Sequence, residues 1–257
     1  MLSLPKGCLF LDSCIVFAEI LQENSEVMEK LKLDVKRRNL PCFLSQSAKT
    51  ECERKLKASQ IFFEKVFRTF AKGYFDDYRH QQGRNPADPL SRDDFKAFAS
   101  MFNELKKVIS YVLQKPLRTL EIKMILRIED ILRGSMKVDF DSFLNTFIGE
   151  ALLVSAHLKI QEIKLITNEQ GFFKNSSVMP DASITAKLLA NVQSSNRYPF
   201  HEDDANNISS AWSYMNSMRQ KTVFTTFDFR TVLSHAEQIF NLIGLHCVDP
   251  LYAVHFL

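Results

Sequence analysis

The sequence predicts an α/β protein built on a short parallel sheet, with a long all-helical region inserted into it. Brief apolar runs occur near both ends of the chain, at Cys8 to Leu11, Pro41 to Leu44, Val223 to Thr226 and Leu245 to Val248. Their continuous rather than alternating hydrophobicity suits strands buried on both faces. Helical spacing separates these runs, and alternating strand and helix is the pattern of a parallel sheet. At 257 residues the chain is long for one domain and short for two. One sheet domain (1–57 with 199–257) carrying a helical insertion (58–198) is therefore the leading division.

Each element follows from local signals. Asp12 and Ser13 end the first run, and residues 15–38 read as helix, closing on Lys36, Arg37 and Arg38, which complement a helix carboxyl end. The strand at 41–44 leads to Ser45 or Ser47 as the N-cap of a helix from Ala48 to about Lys57. Residues 59–78 carry Phe63, Phe67, Phe70 and Tyr74 at three- and four-residue spacing, one apolar stripe. A loop over 79–89 contains Gly83, Pro86 and Pro89, and Ser91 with Asp94 then forms a capping box. From there Phe95, Phe98, Phe102, Leu105, Ile109 and Val112 repeat for about five turns. Pro116 opens a helix that Gly134 closes, and Asp141 begins a long one through Ile163. Residues 171–180 read as irregular, Ile184 to Val192 as a shorter helix and 194–199 as a break. Alternation then resumes with a helix from Asp204, the strand before Asp228, a helix from Thr231 to Leu242 and the last strand.

Composition narrows the function. The 22 Phe and 7 Gly fit a helix-rich globular protein with a phenylalanine core. A net charge of +3 is compatible with nucleic acid but does not argue for it alone. Cys8, Cys14, Cys42, Cys52 and Cys247 form an odd set with no CxxC pair, mostly in apolar runs, which predicts reduced buried thiols and a cytoplasmic protein. Asp12 interrupts the apolar start, which argues against an export signal. No window holds eighteen uninterrupted apolar residues, so no membrane span is expected. The histidines lack zinc-ligand spacing, and GxSxG, GxxxxGK[ST] and GxGxxG are all absent. These absences argue against a zinc site, a serine hydrolase, a P-loop NTPase and the usual dinucleotide-binding enzymes.

The most informative residues are four acids, Asp12, Glu51, Asp204 and Asp228, each at a strand end or near a helix start. In an open parallel sheet the ligand crevice lies beyond the carboxyl ends of the strands, so such acids converge however far apart they are in sequence. Clustered carboxylates repel one another, and hard divalent cations with oxygen ligands relieve that repulsion. Bland readings stand beside this one. Asp12 and Asp228 suit ordinary strand-end turns. Asp204, with Asp203 as its rival, suits a helix first turn. Glu51, with Glu53 nearby, suits a solvated helix paired to Lys55. A haloacid-dehalogenase phosphatase would need a second Asp two residues after Asp12, where this chain has Cys14.

LFLDSC at 9–14, SQSAKTECERKL at 45–56, EDDANNISSA at 202–211 and VFTTFDF at 223–229 together resemble the successive acidic motifs of the PIN-domain family. The resemblance covers residues 7–57 and 199–250 and says nothing of the helical middle. It implies a three-layer α/β/α fold and a metal-dependent ribonuclease holding Mg²⁺ or Mn²⁺. Asp12 and Asp228 would then be direct ligands, Asp204 a ligand to one metal, and Glu51 a ligand or an orienter of the attacking water. Ser13 and Thr226 would support them. RNA, more readily single-stranded, is the expected partner. Lys30, Lys32, Lys36, Arg37, Arg38, Lys49, Arg54, Lys55 and Lys57 suit a phosphate rim or an ordinary charged face. The insertion suits a substrate groove, or a homodimer or protein-partner face, though core packing is the commoner use of such stripes. The alternative is a PIN-like module that binds RNA or protein without cutting.

Overall fold

A computed structural model describes residues 7–21, 25–83, 85, 87–109, 111–133, 138–167, 169, 171–192 and 199–257. It is mostly helical, with one five-stranded sheet in the order β3-β2-β1-β4-β5. The strands are β1 (Cys8–Leu11), β2 (Cys42–Leu44), β3 (Lys174–Asn175), β4 (Thr222–Thr225) and β5 (His246–Val248), and every pairing is parallel. An α/β fold is therefore present, with one strand more than the sequence predicts. β3 lies in the stretch expected to be irregular, at the sheet edge, and it has no apolar run to announce it.

The chain divides into two compact units, Met1–Arg54 with Lys164–Leu257, and Lys55–Ile163. The sheet unit thus takes in residues that the sequence assigns to the insertion. The reason is packing: β3 hydrogen-bonds to β2, and helix α8 (Ala182–Asn191) packs on α9 (Glu202–Met218). Cys8, Phe10, Phe224 and Cys247 project from one sheet face into a core shared with Leu188, Ala205, Ile208, Ala211 and Ile239. That core brings α8, α9 and α10 (Ala236–Ile243) together over the sheet. The other sheet-unit helices are α1 (Ser13–Ile20), α2 (Ser25–Arg38) and the start of α3 (Gln46–Ile61). The single helix predicted over 15–38 is thus two, because the backbone leaves helical geometry at Leu21. The helix predicted from Thr231 to Leu242 is likewise a short 3₁₀ turn, Leu233–His235, followed by α10.

The second unit contains a π-helical turn (Phe62–Val66), α4 (Phe67–Gln82), α5 (Arg92–Val108), α6 (Tyr111–Leu132) and most of α7 (Phe140–Ile166). Phe63, Phe67, Phe75, Phe98, Phe102, Phe143 and Phe147 are all almost fully buried. Phe75 stands 4.1 Å from Phe98 between ring centroids, and Phe98 makes edge contacts with Phe143 and Phe147. The buried stripe runs through Phe63, Phe67, Ala71 and Phe75 rather than through Phe70 and Tyr74, since the wider π turn changes the helical phase. Ser91 and Asp94 form the predicted capping box. Ile109 is extended and ends α5, so Val112 belongs to the next helix. Pro116 sits inside α6 instead of opening it, a lost backbone donor outweighed by burial of Leu117, Leu120 and Met124. The expected closure at Gly134 and nearly all of the break at 194–199 lie outside the described residues. α7 is long and apolar enough to cross a membrane by length and composition alone, with 39% of its most apolar window buried inside the protein.

Candidate functional site

The strand order reverses between β1 and β4, and in open parallel sheets the crevice beyond the carboxyl ends at such a switch is where ligands bind. Asp12 follows β1 directly and is only 5% exposed. Its Oδ1 accepts from the Ser13 amide at 2.7 Å, and its Oδ2 accepts from Thr226 Oγ1 at 2.8 Å and Cys14 Sγ at 3.1 Å. Burial raises its pKa above the carboxylate range, the nearby Glu51 charge adds to that, and these hydrogen bonds oppose it. Cys14 also accepts from the Phe227 amide, and burial followed by the Asp12 charge keeps it a thiol.

Glu51 lies in the second turn of α3 and is 9% exposed, so the solvated reading of this residue fails. Between it and Asp12 stands Asn207 of α9, whose Nδ2 donates to Asp12 Oδ1 at 3.4 Å and to Glu51 Oε2 at 3.3 Å. Glu53, the sequence competitor, pairs instead with Lys49 at 3.7 Å.

Asp204 takes the third position of α9 and accepts from the His201 amide at 3.1 Å, the helix-start role that its sequence context allows. It does more than cap. Burial first, and then the charges of Asp12, Asp228 and Glu51, push its pKa up to about 7. That coupling ties all four acids into one electrostatic field although they come from four chain segments. Asp203 points elsewhere, into an exposed 2.8 Å ion pair with Arg54. Asp228 follows β4, and its amide donates to Thr226 Oγ1 at 2.9 Å, which links it through one hydroxyl to Asp12. Its carboxylate accepts from the amides of Arg230 and Thr231 and from the Thr231 hydroxyl, so it also builds the turn.

The site is a set of hard oxygen donors, the chemistry that suits Mg²⁺ or Mn²⁺. Among the described residues, however, no three His, Cys, Asp or Glu side chains are arranged to hold one metal ion. The acids share a field without yet sharing a coordination sphere. Asp12 has both oxygens engaged by donors, and Asn207 fills the space between it and Glu51. Asn207, Cys14 and Ser45 escape sequence reasoning as site residues. The available hint is Asn207 itself, a polar residue three positions after Asp204 and hence on the same helix face, beside small packing residues.

The basic residues do not form one rim. Lys49 and Arg54 lie on α3 near the acids, each in an ion pair. Lys32 and Lys36 of α2 instead line a cavity of about 750 Å³ with Lys174, Phe43 and Phe172. Its walls include residues 39–41 and 171–173, just before β2 and β3, so it lies at the amino ends of these strands, whereas Asp12 and Asp228 follow the carboxyl ends of the parallel β1 and β4. None of the five cysteines is in a disulfide. No protein-family model, curated protein or solved structure matches the chain.

Proposed function

We propose that the protein is a metal-dependent ribonuclease, with Asp12, Glu51, Asp204 and Asp228 as the acidic cluster of a PIN-like three-layer α/β/α domain. The observation that supports this most is the meeting of four acids from separate segments at the switch point between β1 and β4. Burial first, and then mutual repulsion, raises the pKa of both Asp12 and Asp204, a cost that an ordinary structural turn does not require. An Mg²⁺ or Mn²⁺ ion held by these four carboxylates would activate a water for attack on an RNA phosphodiester and stabilise the departing oxygen. The protein's own part is to fix the acids. Ser13 and Thr226 orient the Asp12 carboxylate, and Thr226 sets the spacing between Asp12 and the Asp228 backbone.

A second reading, a PIN-like module that binds RNA or a protein partner without cutting, draws on one observation. Asn207 already supplies Asp12 and Glu51 with a neutral hydrogen-bonding partner. Single-stranded RNA incubated with Mn²⁺ and either wild type or Asp12→Asn separates the two. Cleavage by wild type that drops to background in the variant supports the ribonuclease. Equal activity removes it, and RNA affinity that survives both the substitution and EDTA favours the binding module.

A further inference from the structure

Asn207 is 1% exposed and spends its whole side-chain amide inside the acid site. The two Nδ2 hydrogens serve Asp12 Oδ1 and Glu51 Oε2, while Oδ1 accepts from Ser45 Oγ at 3.1 Å. Ser45 Oγ itself accepts from the Ala48 amide at 3.0 Å, which leaves its single hydrogen for Asn207. That direction fixes the amide orientation. Turned over, it would present its oxygen to two carboxylates and its NH₂ to a hydroxyl whose proton would then lack this acceptor. One side chain on α9 thereby joins the end of β1, the end of β2 and the start of α3.

Asp12 and Glu51 carry like charge and face each other in a buried space. Like charges in such a space repel, and a donor shared by both carboxylates offsets that repulsion. We infer that Asn207 is a positioning residue that holds the Glu51 carboxylate against Asp12 and so preorganises the acid pair for a divalent cation. This rests on the ribonuclease reading for its consequence, but the positioning itself is testable without metal or activity.

The test is the crystal structure of Asn207→Ala, joined to calorimetric titration with Mn²⁺ of wild type, Asn207→Ala and Asn206→Ala. Asn206 is the control, since its side chain accepts from Thr185 at 3.1 Å and not from the acids. The expected result is Glu51 displaced from Asp12 in Asn207→Ala, with Mn²⁺ affinity lowered roughly 10- to 100-fold, as for the loss of other groups that orient metal ligands. Asn206→Ala keeps wild-type affinity. If Glu51 moves but wild type binds no Mn²⁺, the positioning stands and the metal-dependent reading falls. If Glu51 stays beside Asp12 in Asn207→Ala, the inference is overturned whatever the affinity. Should that variant fail to fold, nuclear magnetic resonance of wild type decides: both Asn207 amide protons protected from exchange supports it, and rapid exchange of both overturns it.

Discussion

Asp204 puts the acid field into measurable form. The folded protein keeps its proton up to about pH 7, whereas an ordinary aspartate releases it near 3.8. Between those values the folded state binds more protons than the unfolded chain, so stability falls as pH rises through the window and levels off above it. Asp12 shifts in the same direction. The urea midpoint of wild type is therefore expected to be higher at pH 5 than at pH 8. Asp204→Asn keeps an acceptor for the His201 amide but drops the charge. It should be more stable than wild type at pH 8, by on the order of 1–2 kcal/mol once its partial exposure is allowed for, with a flatter pH dependence. An unchanged pH dependence in that variant contradicts the coupling. Asp12→Asn belongs to the same argument and separates two roles: loss of RNA cleavage without loss of stability at pH 8 marks a functional carboxylate. Lost folding would mark a structural one.

At the scale of elements, β1, β2, β4 and β5 were legible because each lies in a short, largely apolar run, with β1 and β4 buried throughout and β2 and β5 nearly so. β3 was not, since two polar residues at an edge take their pairing from β2 rather than from their own pattern. Helix existence was legible and helix boundaries less so. Leu21, Ile109 and Pro116 are settled by backbone geometry and burial that no local periodicity encodes. Asp12 and Asp228 could be read from strand polarity. Asn207 could not, because a polar residue in a helix acquires its meaning only from what the fold sets beside it. The phenylalanine core of residues 55–163 makes its own prediction. Phe98 contacts Phe75, Phe143 and Phe147, so Phe98→Ala should cost about 3–5 kcal/mol by urea denaturation. A loss below about 1 kcal/mol would mean that these rings do not form a packed core.

For the whole molecule, the sheet and the acids make one statement. The strand order reverses between β1 and β4, and the chain returns from residues 55–163 to complete the same sheet and bring Asp204 and Asp228 to Asp12 and Glu51. A cation that binds the folded state alone stabilises it, by about 2.7 kcal/mol at one hundred times its dissociation constant. Mn²⁺ should accordingly raise the thermal midpoint of wild type at pH 8 and leave Asp12→Asn unmoved. Equal shifts in both would point to binding elsewhere. The most direct measurement is anomalous diffraction from crystals soaked in Mn²⁺ at pH 8. A manganese peak is expected beyond the carboxyl ends of β1 and β4, with oxygens of at least three of Asp12, Glu51, Asp204 and Asp228 at roughly 2.0–2.3 Å. Crystals that show no peak there at saturating Mn²⁺ would contradict the metal-dependent reading.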